Sequence, residues 1–171
     1  MTETIEKYAL GDWVVHLHYG MGQIKKTEVK HLHGEKVKCY QVQTKDATFW
    51  FPVNEIDNPR IRPVASRERL KQGLEILNKP PRNFNADYKE VKKRINEVKG
   101  EGSILSMARL LRDLSARSAV KKLNDIEEQT LRSFTTQFLK EWTMCTGIGI
   151  DSAREQLRTI LQQSQDWAHN N

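Results

Sequence analysis

Leu10-Gly11-Asp12-Trp13-Val14-Val15-His16-Leu17-His18-Tyr19-Gly20-Met21-Gly22-Gln23-Ile24 is the stretch whose reading decides the fold of the first third of the chain. Trp13-Val14-Val15 supplies the aromatic and β-branched bulk that suits a pleated surface. Gly20 and Gly22 permit a sharp, left-handed chain reversal that bulkier residues resist. The stretch therefore predicts a short strand, a tight glycine turn and the start of a second strand. It contains no catalytic grouping and reads as the first corner of a small β-barrel.

Working outward, strands are expected over Trp13–His18, Gln23–His33, Lys36–Thr44, Thr48–Pro52 and Ile61–Val64. The breaks between them carry turn chemistry at Tyr19-Gly20-Met21-Gly22, His33-Gly34-Glu35, Lys45-Asp46-Ala47 and Asp57-Asn58-Pro59. Short strands joined by tight turns over so few residues suggest a five-stranded SH3- or Tudor-like barrel spanning 1–65. Phe49-Trp50-Phe51 puts three aromatics in succession, so at least one of them faces outward. An outward Trp50 is either a packing contact or an anchor for a partner, and the partner reading is preferred. His16/His18 and His31/His33 would each share a strand face, a spacing a metal could use. No cysteine or carboxylate completes either pair, and no metal or cofactor is expected.

From residue 66 the periodicity changes to helical, and an all-α bundle is expected over 66–171. Ser66 caps a helix carrying Leu70, Leu74 and Leu77, and Asn78-Lys79-Pro80-Pro81 stops it. A second helix starts at Asn85, turns Tyr88, Val91, Ile95 and Val98 inward and closes at Gly100. Its other face holds Lys89, Lys92, Lys93 and Arg94. Ser103 caps a third helix with Ile104, Met107, Leu110, Leu111 and Leu114 inward. Asn124 with Glu127 reads as a capping box for a fourth, with Leu131, Phe134, Phe138 and Trp142. Thr146-Gly147-Ile148-Gly149 breaks it, and Asp151 caps a last helix running through Leu157 and Leu161 towards Trp167. The fold class is α+β: a small β-domain followed by a helical bundle.

The charge is uneven. The chain carries a formal net charge of +6, yet Lys79 to Lys122 alone holds 12 Lys and Arg against 5 Asp and Glu. A basic block of this kind can track phosphates, or can simply be a solvated face. No run of apolar residues is long enough for a membrane span, and the acidic N-terminal residues are unlike a secretory signal. Cys39 and Cys145 lie far apart without metal-binding spacing, which suggests reduced thiols and a cytoplasmic protein. No nucleophile and base are placed together by any motif, so an enzyme is not expected.

Gly11-Asp12-Trp13-Val14-Val15, Gly20-Met21-Gly22-Gln23-Ile24, Gly34-Glu35 and Phe51-Pro52-Val53 resemble the CarD/CdnL family of bacterial RNA polymerase-binding transcription regulators. The second half continues the resemblance in order, through Pro81-Arg82-Asn83-Phe84, Tyr88-Lys89 and Leu110-Leu111-Arg112-Asp113-Leu114. Transcription-repair coupling factors share the first domain, but this chain has no Gly-Lys-Thr/Ser phosphate loop and is too short for helicase domains.

The resemblance implies that the Tudor-like domain lays an edge strand against the protrusion lobe of the polymerase β subunit. It carries the contact role onto Lys30, His31 and Trp50, where family members often have Arg, Thr and Arg. It also implies that the helical domain meets promoter DNA at the upstream edge of the bubble, in the minor groove and on phosphates, and modulates open-complex stability. In the family a Trp wedges open the base step there; the matching residue is Phe84. Phe84 reads equally as a staple against the second helix. Arg82, Lys89, Lys92 and Lys93 are the phosphate candidates, whereas Asp87 would repel phosphate. The alternative function is a polymerase-binding adaptor whose helical domain docks another protein and not DNA. A monomer is expected.

Overall fold

The computed structural model describes residues 6–55 and 57–171, so the N-terminal stretch read above for a leader falls outside the described residues. Its backbone divides into two units, one ending at Val64 and one running from Ala65 to Asn171. The first unit is a five-stranded antiparallel sheet: β1 Trp13–His16, β2 Gly20–Leu32, β3 Glu35–Gln43, β4 Thr48–Pro52 and β5 Ile61–Pro63. Their order is β4-β3-β2-β1-β5, and β4 and β5 are the two edges. The sheet is therefore open and barrel-like, not the closed barrel that its short strands suggest. Strand order across a sheet depends on pairings between distant residues, which local patterning does not encode.

The opening corner forms in β1 and β2, with His16 paired to Gly20 and Trp13 to Gln23. The reversal starts two residues earlier than expected, at Leu17, His18 and Tyr19, so β2 begins at Gly20 and not at Gln23. Gly20 takes a left-handed φ of +74°, whereas Gly22 is needed for a different reason. A Cβ on Gly22 would stand 2.7 Å from Cγ1 of Val42, so the glycine lets β3 pack closely against the corner.

Val14, Ile24, Tyr40, Val42, Phe49, Phe51 and Ile61 form the sheet's core, and Tyr8 closes one end of it. The Tyr40 hydroxyl donates to the Tyr8 carbonyl at 2.7 Å, which fixes the segment before β1 over the core. His16 is also buried, and its Nδ1 accepts from the backbone N–H groups of His18 and Tyr19 at 3.0 and 3.3 Å. That imidazole ties the turn together. His33 leaves the strand pattern altogether, since β2 ends at Leu32 and His33 occupies the following turn with φ +51°.

The second unit has five helices: α1 Arg67–Leu77, α2 Tyr88–Glu101, α3 Ile104–Val120, α4 Asp125–Thr146 and α5 Ile150–Asn170. Ser66, Ser103 and Asn124 cap α1, α3 and α4 through their side chains, and Asn124 with Glu127 forms the reciprocal capping box. Leu70, Leu77, Val91, Ile95, Leu110, Leu111, Phe138, Trp142 and Leu157 meet in one apolar core around α3. A helix buried on most of its surface in this way reads apolar or paired nearly all round, and α3 does.

Three helix ends differ from expectation. α2 starts at Tyr88 because Asp87, not Asn85, is its N-cap, and it ends on left-handed Gly102 with Gly100 inside the last turn. Tyr88 is thus at the first turn and exposed, not inward. α5 is entered through Gly149 without a side-chain cap; Asp151 lies within its first turn.

Candidate functional site

Two places gather the residues singled out by the sequence. The first lies on the outer face of the sheet, where Phe49 and Phe51 turn into the core and Trp50 turns out. Trp50 pairs across β3 with Gln41, and Gln41 in turn faces Lys26 of β2. Alternation places Lys26, Glu28 and Lys30 on one face of β2. The Trp50 indole N–H donates to the Glu28 carboxylate, and the Lys30 ammonium stands 4.0 Å from the indole ring centroid. Lys26 and Lys30 both pair with Glu28, at 3.4 and 3.5 Å.

These contacts hold the Glu28 carboxyl below its ordinary range, the Trp50 hydrogen bond being the largest cause, with Lys26 and Lys30 adding to it. The indole is consequently held in one orientation while 39% of its surface stays open. Cys39 lies buried in the row between Glu28 and Pro52, and burial raises its thiol. His31 does not join this cluster. Adjacent strand residues face opposite sides, and His31 is paired with Lys36 on the other face of the hairpin. Of the three partner candidates, the fold brings Lys30 and Trp50 together and leaves His31 apart.

The second place is the loop between α1 and α2. Pro81 is buried, Asn83 adopts a left-handed φ of +53°, and Phe84 is half-buried at the loop's crest. A non-glycine residue in this conformation persists only where its surroundings enforce it. The enforcement comes from α3. The buried Asp113 carboxylate accepts from the backbone N–H of Arg82 at 2.9 Å, from Arg94 at 2.6 Å and from Arg112 at 2.7 Å. One turn further along, Nη1 of buried Arg117 donates to the carbonyls of Phe84 and Ala86, at 3.0 and 2.6 Å. Nε of the same guanidinium donates to Glu127 at 3.1 Å, while the other Glu127 oxygen accepts the Asn124 N–H. The cap of α4, the guanidinium of α3 and the crest of the loop are thus one hydrogen-bonded chain.

Asp87 now has a structural explanation. Its carboxylate accepts the Glu90 N–H at 3.0 Å and caps α2, so the acid that would repel phosphate is engaged at a helix start. Arg94, read as part of α2's basic face, turns instead to Asp113. Lys89, Lys92 and Lys93 remain exposed on that face, and Lys93 reaches Glu97 at 4.0 Å.

Clefts flank the loop on both sides and differ in charge. One is lined by Phe84 with Lys93, Arg94 and Arg117 against Glu90, Glu97 and Asp113, an even balance. The other, of about 530 Å³, is lined by Lys79, Arg82, Arg94, Arg109 and Arg112 against Asp113 alone. Arg94 and Arg112 are engaged with Asp113, while Lys79, Arg82 and Arg109 are exposed at the cleft. Lys89 and Lys92 line neither of these two clefts. Sequence reading missed Lys79 and Arg109, which lie 30 positions apart in the chain and are joined only by the packing of the loop on α3.

Phe84 also has an aromatic neighbour that the sequence did not assign to it. Trp167 of α5 approaches it edge to face, with ring centroids 6.0 Å apart and planes at 89°. Among the described residues no group of three or more His, Cys, Asp or Glu could hold a metal ion. No described helix is long and apolar enough to cross a membrane.

Comparison with known proteins agrees with this division. Residues 8–65 match the model of the CarD-like/TRCF RID domain, and residues 72–158 match that of the CarD C-terminal domain. A Bacillus subtilis (strain 168) protein named "Putative transcription factor YdeB" is 26% identical over 143 residues, covering 82% of this chain and 94% of that protein. Matched over both of its units in the order that the motifs predict, the chain belongs to the CarD/CdnL family and is a CarD-like transcription factor.

Proposed function

We propose that this transcription factor binds RNA polymerase through its sheet and contacts promoter DNA at the upstream edge of the bubble through the Phe84 loop, so that it changes the stability of the open complex. The observation that carries the DNA reading is the combination at that loop. A half-buried aromatic side chain sits on a loop whose backbone is fixed by Asp113 and Arg117, and the same loop supplies Arg82 to a cleft with five cationic residues and one carboxylate. An aromatic ring suits a splayed base step, and neighbouring cations hold the phosphates that fix its register. A fixed loop loses little further entropy on binding. Binding the open form more tightly than the closed form shifts the equilibrium between them without any chemistry.

On this reading the phosphate contacts keep Arg82 and centre on the more cationic cleft. Lys79, Arg82 and Arg109 are the primary set, and Lys89, Lys92 and Lys93 form an outer basic face that adds long-range attraction. On the sheet, Trp50 and Lys30 form the anchor for the polymerase β subunit, with Trp50 on β4, whose outer edge pairs with no described strand. That edge can accept a strand from the partner.

The test is the lifetime of polymerase–promoter open complexes with wild-type protein and with Phe84→Ala. A lifetime change that is abolished in Phe84→Ala supports the wedge. A change of equal size in both proteins would move the DNA contact away from Phe84. No change, with polymerase binding intact, favours an adaptor whose helical unit docks protein.

A further inference from the structure

We propose that Trp167 forms, with Phe84, an aromatic corner that holds one splayed base at the upstream edge of the bubble, so that the C-terminal helix is part of the DNA-binding surface. This rests on the DNA reading above and deepens it.

Two rings at 89° form a T, and each inner angle of a T is bounded by one ring's face and the other ring's plane. A base lying flat against one ring points its edge at the other. It then stacks on the first ring and meets the second edge to face, and the ring quadrupoles favour both arrangements. A single phenylalanine offers only the stacking. The corner is open to a ligand, because Trp167 keeps 38% of its surface exposed and Phe84 is half-buried.

Position matters as much as exposure. Trp167 stands near the end of a 21-residue helix, where fraying would be expected, yet its neighbours are fastened to α3. Gln165 donates to the hydroxyls of Ser115 and Ser118, at 3.2 and 3.4 Å. Ala168 and Ser164 are buried, small enough for close helix approach. Arg117, which holds the Phe84 carbonyl, lies on the same α3 turn as Ser115 and Ser118. One turn of α3 therefore positions both rings.

Trp167 also lies outside the stretch matched by the family's C-terminal domain, which ends at residue 158. The loop that bears Phe84 also supplies Arg82 to the strongly cationic cleft, while Phe84 itself lines the cleft of balanced charge.

The test uses the full-length protein and reconstituted open complexes. Trp167→Ala is expected to shorten the lifetime obtained with wild type by about fivefold or more, as removing one aromatic platform under a base does, while Trp167→Phe keeps most of it. Trp167 replaced by the photo-crosslinker p-benzoylphenylalanine is expected to attach to a promoter base at the upstream edge. If Phe84→Ala shortens the lifetime and Trp167→Ala does not, the DNA reading stands and the corner is overturned. A crosslink found only on polymerase also overturns it. If wild type leaves the lifetime unchanged, both the DNA reading and the corner fall. Should Trp167→Ala melt early, Trp167→Phe and the crosslink decide, since both keep an aromatic ring in place.

Discussion

Arg117 lies beneath Phe84 and donates from Nη1 to its backbone carbonyl at 3.0 Å. The same guanidinium is buried against Glu127, so the loop is held by an ion pair that solvent does not reach. Removing one partner of such a pair leaves the other charged, buried and unpaired. Arg117→Met should therefore cost about 3 kcal/mol or more of unfolding free energy in urea denaturation. Arg117→Lys should recover only part of it, because an ammonium cannot reach Glu127, Phe84 and Ala86 in the fixed geometry of a guanidinium. Equal stability of wild type and Arg117→Met would show that the pair contributes nothing net.

On the sheet, Trp50 is exposed and Lys30 half-buried, and neither belongs to the core. Trp50→Ala should leave stability within about 0.5 kcal/mol of wild type while weakening capture of polymerase β-lobe fragments by about tenfold. Lys30→Glu should also weaken capture, by removing the cation over the indole and setting two carboxylates together. His31→Ala, on the other face of the hairpin, should bind as wild type does. Isothermal titration with all three variants checks the pattern, and a loss confined to His31→Ala would relocate the anchor.

The two basic regions of the helical unit predict different salt behaviour. A cation seated on a phosphate displaces condensed counterions, so each such cation removed lowers the slope of log affinity against log salt by about one unit. Arg82→Glu with Arg109→Glu should flatten the slope for forked promoter DNA by about two units. Lys89→Glu with Lys92→Glu should lower affinity with a smaller change of slope. The reverse ranking would assign the phosphates to the α2 face.

His16 makes the corner of the sheet sensitive to acid. Burial first, then the charges of His18 and Arg60, hold its imidazole below the ordinary value of 6.5. Protonating Nδ1 would also remove the acceptor for the His18 and Tyr19 N–H groups. A value lower in the folded chain than in the unfolded one means that the unfolded chain takes up protons first. The contribution is therefore fully present above about pH 6.5 and is lost as pH falls towards the folded value. Amide exchange of Gly20 and Gly22 should quicken as pH falls below about 6.5, after correction for intrinsic rates. His16→Phe should remove that excess. An unchanged profile in His16→Phe would exclude His16 as its source.

Much of this architecture is legible in the residues because its signals are local. The inward Phe49 and Phe51 around an outward Trp50 follow from strand alternation. The Asn124–Glu127 box and the Ser66 and Ser103 caps follow from side-chain chemistry within one turn. What escapes is nonlocal. Asp113 and Arg117 read as polar residues on an apolar helix, because the Arg82, Phe84 and Ala86 backbone groups they bind are about thirty positions away. Trp167 reads as the tail of a core stripe, since nothing near it in the chain names Phe84 as its neighbour. Asp87 is the exception: its capping role is within local reach, yet Asn85 offers the same cap chemistry two residues earlier and competes with it.

The open outer edge of β4 has a consequence for how the molecule keeps company with itself. An edge able to accept a partner's strand is equally able to accept the same strand from another copy, which is the usual start of sheet-to-sheet aggregation. β4 offers only five residues, and the last, Pro52, has no N–H to give. The clamp of Glu28 and Lys30 around Trp50 further sets charge beside the indole on the face next to that edge. Shortness and the missing N–H limit any pairing on this edge to a few hydrogen bonds, whichever chain supplies the strand.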